Sequence, residues 1–116
     1  MSPFGCQLLS RSKLWLSDGT FECAPAPFVQ LYVVAAQSPS NRILPACYFL
    51  LQDKTSESYN RLWEEVKQQL PDDRDDGPET LKIDFELGAC NTFKAIFHES
   101  KVCCYFYRHF ELFSKI

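Results

Sequence analysis

Up to Asp53 the apolar residues of this chain come in short runs separated by turn chemistry, and beyond it they recur at helical spacing. The run from Lys13 to Ser17 meets Asp18-Gly19, a turn signal that predicts the close of a first strand. FVQLYVVAAQ (28–37) is rich in β-branched and aromatic residues, which suit a pleated, partly buried surface. SPSN (38–41) is turn chemistry, and RILPACYFLLQ (42–52) predicts a third strand. Pro45 has no N–H to give a ladder, so it belongs near an edge or a bulge. In TSESYNRLWEEVKQQL (55–70), Tyr59, Leu62, Trp63, Val66 and Leu70 form one helical stripe. Thr55 or Ser56 is its expected N-cap, and Pro71 cannot continue it. A short strand at 80–85 then leads into a helix at 86–99, with Ala89, Phe93, Ile96 and Phe97 on one face. KVCCYFY (101–107) predicts a fifth strand and RHFELFSKI (108–116) the start of another helix. Residues 1–9 show no clear period and stay unassigned, and PDDRDDGPE (71–79) reads as a solvated acidic loop.

The order is therefore β-β-β-α-β-α-β-α. Three strands joined by short turns make antiparallel neighbours. A helical crossover should bring the fourth strand parallel to an earlier one, and a second crossover does the same for the fifth. The expected fold is α/β: a mixed sheet covered by helices.

Composition narrows the function classes. A chain of 116 residues is one domain by length, and 46% hydrophobic residues exclude wholesale disorder. The net charge of −3 argues against a stand-alone nucleic-acid binder, since phosphate neutralisation supplies much of that affinity. No Lys/Arg cluster stands in the linear sequence; Arg11, Lys13, Lys82, Lys94, Lys101, Arg108 and Lys115 are scattered. The six cysteines include no Cys-x-x-Cys pair and sit mostly in apolar runs, so they read as buried, reduced thiols rather than disulfides or zinc ligands. Neither a signal peptide nor an apolar run of membrane-spanning length is visible, which points to a soluble intracellular chain.

Two acids matter because of where this topology puts them. Asp18 closes the first strand and Asp84 the fourth. If those strands are parallel neighbours, both acids stand at one carboxyl edge, where open α/β sheets bind ligands. Two close carboxylates repel unless one is protonated or a cation lies between them. Hard oxygen ligands suit Mg²⁺ or Mn²⁺, and a pair of such ions can activate water and stabilise a leaving oxygen on a phosphodiester. On spacing alone the plainer reading also stands: Asp-Gly is a common turn, and Asp84 can cap the helix that follows.

Four ordered blocks carry a family resemblance. LWLSDGTFECAPAPFVQLYVV resembles the opening of the MULE (Mutator-like element) transposase domain, and ILPACYFLLQDKTSESYNRLWEEVK its next segment. LKIDFELGACNTFKAIF resembles the second-acid block, and VCCYFYRHFELFSKI the strand and helix after it. The resemblance covers roughly residues 8–116 and implies an RNase H-like fold with the chemistry of DDE-type transposases: metal-dependent DNA cleavage and strand transfer. It implies metal-binding, catalytic roles for Asp18 and Asp84, Mg²⁺ or Mn²⁺ as cofactor, DNA as the ancestral partner reached through other domains, and a nuclear location. Residues 1–9 are then an unassigned N-terminal segment and 10–116 the core, expected to be incomplete at its C-terminus because the family's third acid lies beyond the equivalent of Ile116.

The sequence also departs from the pattern. Where the family implies Cys-x-x-His after the fifth strand, this chain has Tyr107, and a phenol cannot replace a neutral imidazole as ligand or base at pH 7. His109, two residues on, would face differently on a helix. Glu86 reads as a first-turn acid and His98 as a helix-end cation; Glu111 is a poor substitute for a third ligand. The expectation is a transposase-derived core inactive as this fragment. The alternative is a decayed or domesticated fragment that binds a protein partner, or itself, through exposed apolar surface.

Overall fold

The computed structural model describes residues 3–20, 26–70, 77–84 and 87–105. Five strands form one mixed sheet in the order β3-β2-β1-β4-β5. They are β1 (Leu14–Thr20), β2 (Gln30–Gln37), β3 (Ile43–Leu51), β4 (Thr80–Asp84) and β5 (Lys101–Tyr105). Three helices accompany them: α1 (Pro3–Arg11), α2 (Ser56–Gln69) and α3 (Leu87–Ile96). β1, β2 and β3 make an antiparallel meander. β4 pairs parallel to β1 and β5 parallel to β4, as the two helical crossovers require. This is the mixed, RNase H-like arrangement expected of the sequence.

The helix stripe built the core as its spacing predicts. Tyr59, Leu62, Trp63, Val66 and Leu70 are all buried. From α3, Ala89, Phe93 and Phe97 join them, with Ile96 packed at the margin. The aromatic rings meet mainly edge to face: Trp63 and Phe93 at 4.9 Å between centroids, Trp15 and Phe97 at 5.6 Å. Such geometry sets the positive ring edge against a negative face and stabilises beyond the area buried. Both indole N–H groups are satisfied, Trp15 Nε1 donating to the Leu9 carbonyl and Trp63 Nε1 to that of Ala89. Thr55 caps α2, its hydroxyl accepting from the Ser58 N–H at 3.3 Å.

Pro45 sits on β3, which is an edge strand, beside a register shift: Val34 opposes Cys47 while Ala35 opposes Pro45. Ala46 is thus the extra residue of a bulge, the place where a missing N–H is tolerated.

Two expectations are corrected. Residues 1–9, left unassigned, carry most of α1, whose Leu8 and Leu9 enter the core. Its period is hidden because only two turns form, Gly5 and Ser10 interrupt the apolar pattern, and tertiary contact rather than propensity holds so short a helix. Asp18-Gly19 does not end β1. Both residues are within the strand, opposite Val33 and Tyr32 of β2. The acidic stretch at 71–76 and the helix expected at 108–116 lie outside the described residues.

Candidate active site at the carboxyl edge of the sheet

Strand alternation divides β1 cleanly. Trp15, Ser17 and Gly19 face the helices: Trp15 meets Phe93 and Phe97, Ser17 meets Tyr32, and Gly19 lies against Gln30 and Tyr32. Asp18 therefore stands on the opposite face of the sheet. It is only 5% exposed, in the centre of the sheet between β2 and β4. One carboxylate oxygen accepts from the Gly19 N–H at 2.8 Å.

The parallel register of β1 and β4 runs Leu14–Thr80, Trp15–Leu81, Leu16–Lys82 and Ser17–Ile83. Asp18 and Asp84 are each the next residue after that last couple, so they occupy one level toward the carboxyl edge, Asp84 as the last residue of β4 and Asp18 inside β1, which runs on to Thr20. Neighbouring strands lie about 4.8 Å apart. β1 and β4 are the parallel neighbours that a shared carboxyl edge requires. The side chain of Asp84 lies outside the described residues, as do Glu86, Tyr107, His109 and Glu111. His98 is elsewhere, past the end of α3, where a ring nitrogen meets the Ala95 carbonyl at 2.6 Å. That is the helix-end position its spacing suggested.

Beneath Asp18 lies a polar layer that sequence reasoning missed. Ser17 Oγ and the Tyr32 hydroxyl share a buried hydrogen bond of 3.1 Å. Gln30, 1% exposed, donates through Nε2 to the Tyr59 hydroxyl at 3.0 Å and reaches the Asp53 carbonyl at 3.4 Å. Among the described residues no buried side-chain nitrogen or oxygen lacks a partner. Burial raises the Tyr32 phenol well above its ordinary value; the Ser17 hydrogen bond pulls it down, and Tyr59, the Asp18 charge and Cys90 push it further up. Tyr32 is therefore a neutral hydroxyl at any working pH, a dipole below the acid and not a base. The signal for this layer was present as Gln30 and Tyr32, two polar-tipped residues at strand spacing on one face of β2.

Gly19 has a packing reason that differs from turn chemistry. A Cβ there would run into the carboxamide oxygen of Gln30 and stand 3.3 Å from a Tyr32 ring carbon. Glycine lets the Gln30 side chain lie flat under the strand, with β1 still paired on both sides.

The amino end of α2 borders the same sheet edge. There the Asp53 carboxylate accepts from the Thr55 N–H at 3.1 Å, the Thr55 hydroxyl at 2.9 Å and the Ser58 hydroxyl at 2.6 Å. These bonds, Ser58 first, hold its pKa below the ordinary 3.8. These carboxylate partners, Thr55 and Ser58, are local, so the Asp53 side chain serves the first turn of α2.

A family model of the MULE transposase domain matches residues 14–110, most of the chain. The chain belongs to that family. No curated protein matches it. Membership in the MULE transposase family places the domain by descent among DNA-processing enzymes. Among the described residues no group of three or more His, Cys, Asp or Glu is placed to hold a metal ion, and no helix is long and apolar enough to cross a membrane. Cys6, Cys47, Cys90 and Cys103 are unbridged thiols, and burial pushes Cys47 up to about 12.

Proposed function

We propose that this domain is the core of a transposase-derived protein, with Asp18 and Asp84 as the two acids of a divalent-metal site whose ancestral reaction is DNA cleavage and strand transfer. The observation that supports this is the shared register level of the two aspartates on parallel β1 and β4, in a chain of this family. Residues 10–116 make up the transposase-like part, with Leu8 and Leu9 of α1 packed into its core. The donor set fits a hard cation: two aspartate carboxylates at one sheet edge offer the oxygen ligands that Mg²⁺ and Mn²⁺ prefer. A bound Mg²⁺ or Mn²⁺ would supply charge neutralisation and an activated water at a phosphodiester.

The chain's own contribution is placement. β1 and β4 set the spacing of the acids, the Gly19 N–H fixes one Asp18 oxygen, and the neutral Ser17–Tyr32 pair supports the strand without adding charge. With Tyr107 where the family pattern has histidine, residues 1–116 bind the ion weakly and do not turn DNA over. Nicking of supercoiled plasmid in Mn²⁺, compared with D18N and D84A, tests this. The expected result is no nicking above that of the variants, together with Mn²⁺-induced line broadening at Asp18 and Asp84 amides that both substitutions abolish. Robust nicking that depends on Asp84 would overturn the inactivity; absence of broadening would overturn the metal site.

A second reading, self-association or partner binding, is favoured by Tyr48 and Leu50, which are 49% and 43% exposed on the edge strand β3. It requires concentration-dependent sedimentation that Leu50→Lys abolishes.

A further inference from the structure

We propose that a cavity at the amino edge of the sheet binds a phosphate-bearing ligand of nucleotide size, either free or as one unit of a nucleic-acid strand. The cavity has a volume of about 580 Å³ and lies between the last turn of α1, the start of β1 and the β2–β3 turn. It is at the opposite end of β1 from Asp18, and the inference is independent of any metal there.

Charge is the first observation. Arg11, Lys13 and Arg42 all line this cavity, and no Asp or Glu does. In a chain with 15 acidic and 12 basic residues that separation is unusual. The other three cavities described each include at least one carboxylate, from Asp53, Glu64 or Glu65.

Two of the three cations also have a plainer role. Arg11 is in the last turn of α1, where a positive charge offsets the helix dipole. Lys13 pairs with Glu79 at 3.6 Å, but both side chains are largely exposed and such a pair holds its lysine weakly. Arg42 has neither role: it ends no helix, and no carboxylate among the described residues pairs with it. Its backbone is nonetheless well held. Ser38 N–H donates to the Arg42 carbonyl at 2.7 Å, the Arg42 N–H donates to Ser38 Oγ at 3.2 Å, and Asn41 takes the left-handed conformation at φ 66° that closes the turn. A guanidinium on a fixed turn matches the planar, two-pronged demand of a phosphate better than a lysine does.

The second observation is Phe4, also part of the lining and 60% exposed, the most exposed of the large apolar side chains described. An aromatic ring beside cations offers a base a stacking surface while the phosphate meets the arginines. The volume exceeds what one small anion fills and falls within the range of small-molecule sites. Together these features select a phosphate joined to a flat heterocycle.

The test is titration of the ¹⁵N-labelled full chain with adenosine, inorganic phosphate, adenosine monophosphate and a short single-stranded oligodeoxynucleotide. The expected result is saturable binding of the monophosphate, with shifts centred on the amides of Phe4, Asn41 and Arg42. Adenosine and Arg42→Ala should each show roughly tenfold weaker affinity, about 1.4 kcal/mol. Phe4→Ala should weaken the monophosphate and leave inorganic phosphate unchanged. Tighter, Arg42-dependent binding of the oligonucleotide assigns the ligand to a strand; binding no tighter than the monophosphate assigns a free nucleotide. The proposal is overturned if adenosine binds as well as its monophosphate, if Arg42→Ala changes nothing, or if no ligand saturates. Arg42 is exposed, so an unchanged amide spectrum outside the site will show that the variant folds.

Discussion

Replacing Gly19 by alanine separates two accounts of the Asp18-Gly19 dipeptide by the sign of one measurement. If Gly19 were only an open turn residue at a permissive backbone angle, alanine would reduce the freedom of the unfolded chain and stabilise the fold by about 0.4–1 kcal/mol. The structure requires the opposite. The backbone at Gly19 is not in the left-handed region, so alanine suffers no conformational penalty, yet its Cβ would meet the Gln30 carboxamide. A glutamine tip at the surface would swing aside at little cost. Gln30 is 1% exposed and bonded to Tyr59, so moving it breaks a buried hydrogen bond. Loss of such a bond with an unsatisfied group left behind costs about 1–3 kcal/mol. The Tyr32 ring, 3.3 Å from the new atom, must also give by a few tenths of an ångström. Urea unfolding followed by tryptophan fluorescence measures the outcome, because Trp15 and Trp63 are both in the core. With a urea slope of about 1–3 kcal/mol/M, G19A should lower the midpoint by roughly 0.5–2 M. Gln30→Ala in the same background should recover part of the loss, since the clashing atom is then gone; residues in contact show such non-additivity. An unchanged or higher midpoint for G19A refutes the packing account, and strict additivity with Gln30→Ala refutes the named partner.

Two further predictions concern titration and reactivity. Asp53 has a carboxyl held below its ordinary 3.8 by Ser58 and Thr55, so its contribution to stability is present above the unfolded pKa and is lost as pH falls through the folded one. An NMR titration of its side chain should show a midpoint below 3.8, and Ser58→Ala should raise it; a midpoint at or above 3.8 removes the capping account. Cys47, with its thiol pushed up to about 12 by burial, should resist iodoacetamide at pH 8 while half-buried Cys103 reacts, and should be labelled only as urea unfolds the chain. Peptide mapping after timed alkylation checks the order, and equal rates for the two would contradict the burial.

The parts of this fold legible in the sequence are those where one residue's chemistry decides its surroundings. The α2 stripe, the Thr55 cap, the Pro45 bulge and the parallel crossovers follow from periodicity, hydroxyl capping, a missing N–H and chain handedness. Gly19 was misread because glycine before the fold is known signals turn freedom and close approach alike. Only the carboxamide of a residue 11 positions later distinguishes the two. α1 was missed for a related reason: what holds it is the contact of Leu8 and Leu9 with a core they do not predict. In the candidate site, the level of Asp18 and Asp84 was legible because parallel pairing follows from the crossover. The Ser17–Tyr32 and Gln30–Tyr59 bonds were not, since each joins residues on different elements whose register the sequence leaves open.

The same reasoning explains why cations that look scattered in the sequence form a group. Arg11 and Lys13 precede β1, and Arg42 follows β2 by a tight turn, 29 positions after Lys13. Because β1 and β2 are antiparallel, with Trp15 opposite Ala36, the end of β2 returns to the start of β1. A meander therefore places residues before its first strand beside those of its second turn, whatever their separation in the chain. The parallel strands act in the other direction, setting the ends of β1 and β4 together at the carboxyl edge. Acids at strand ends joined by crossovers and bases at strand starts joined by hairpins thus collect at opposite edges. Net charge, −3 for the whole chain, is silent about that separation. A salt titration of the two sites distinguishes them: phosphate binding at Arg42 should weaken as ionic strength rises, because its cations are exposed and screened within a Debye length of about 10 Å at 0.1 M. Asp18, 5% exposed in the centre of the sheet, should keep its Mn²⁺ response over the same range. Equal salt sensitivity at both edges would mean that burial does not separate them electrostatically.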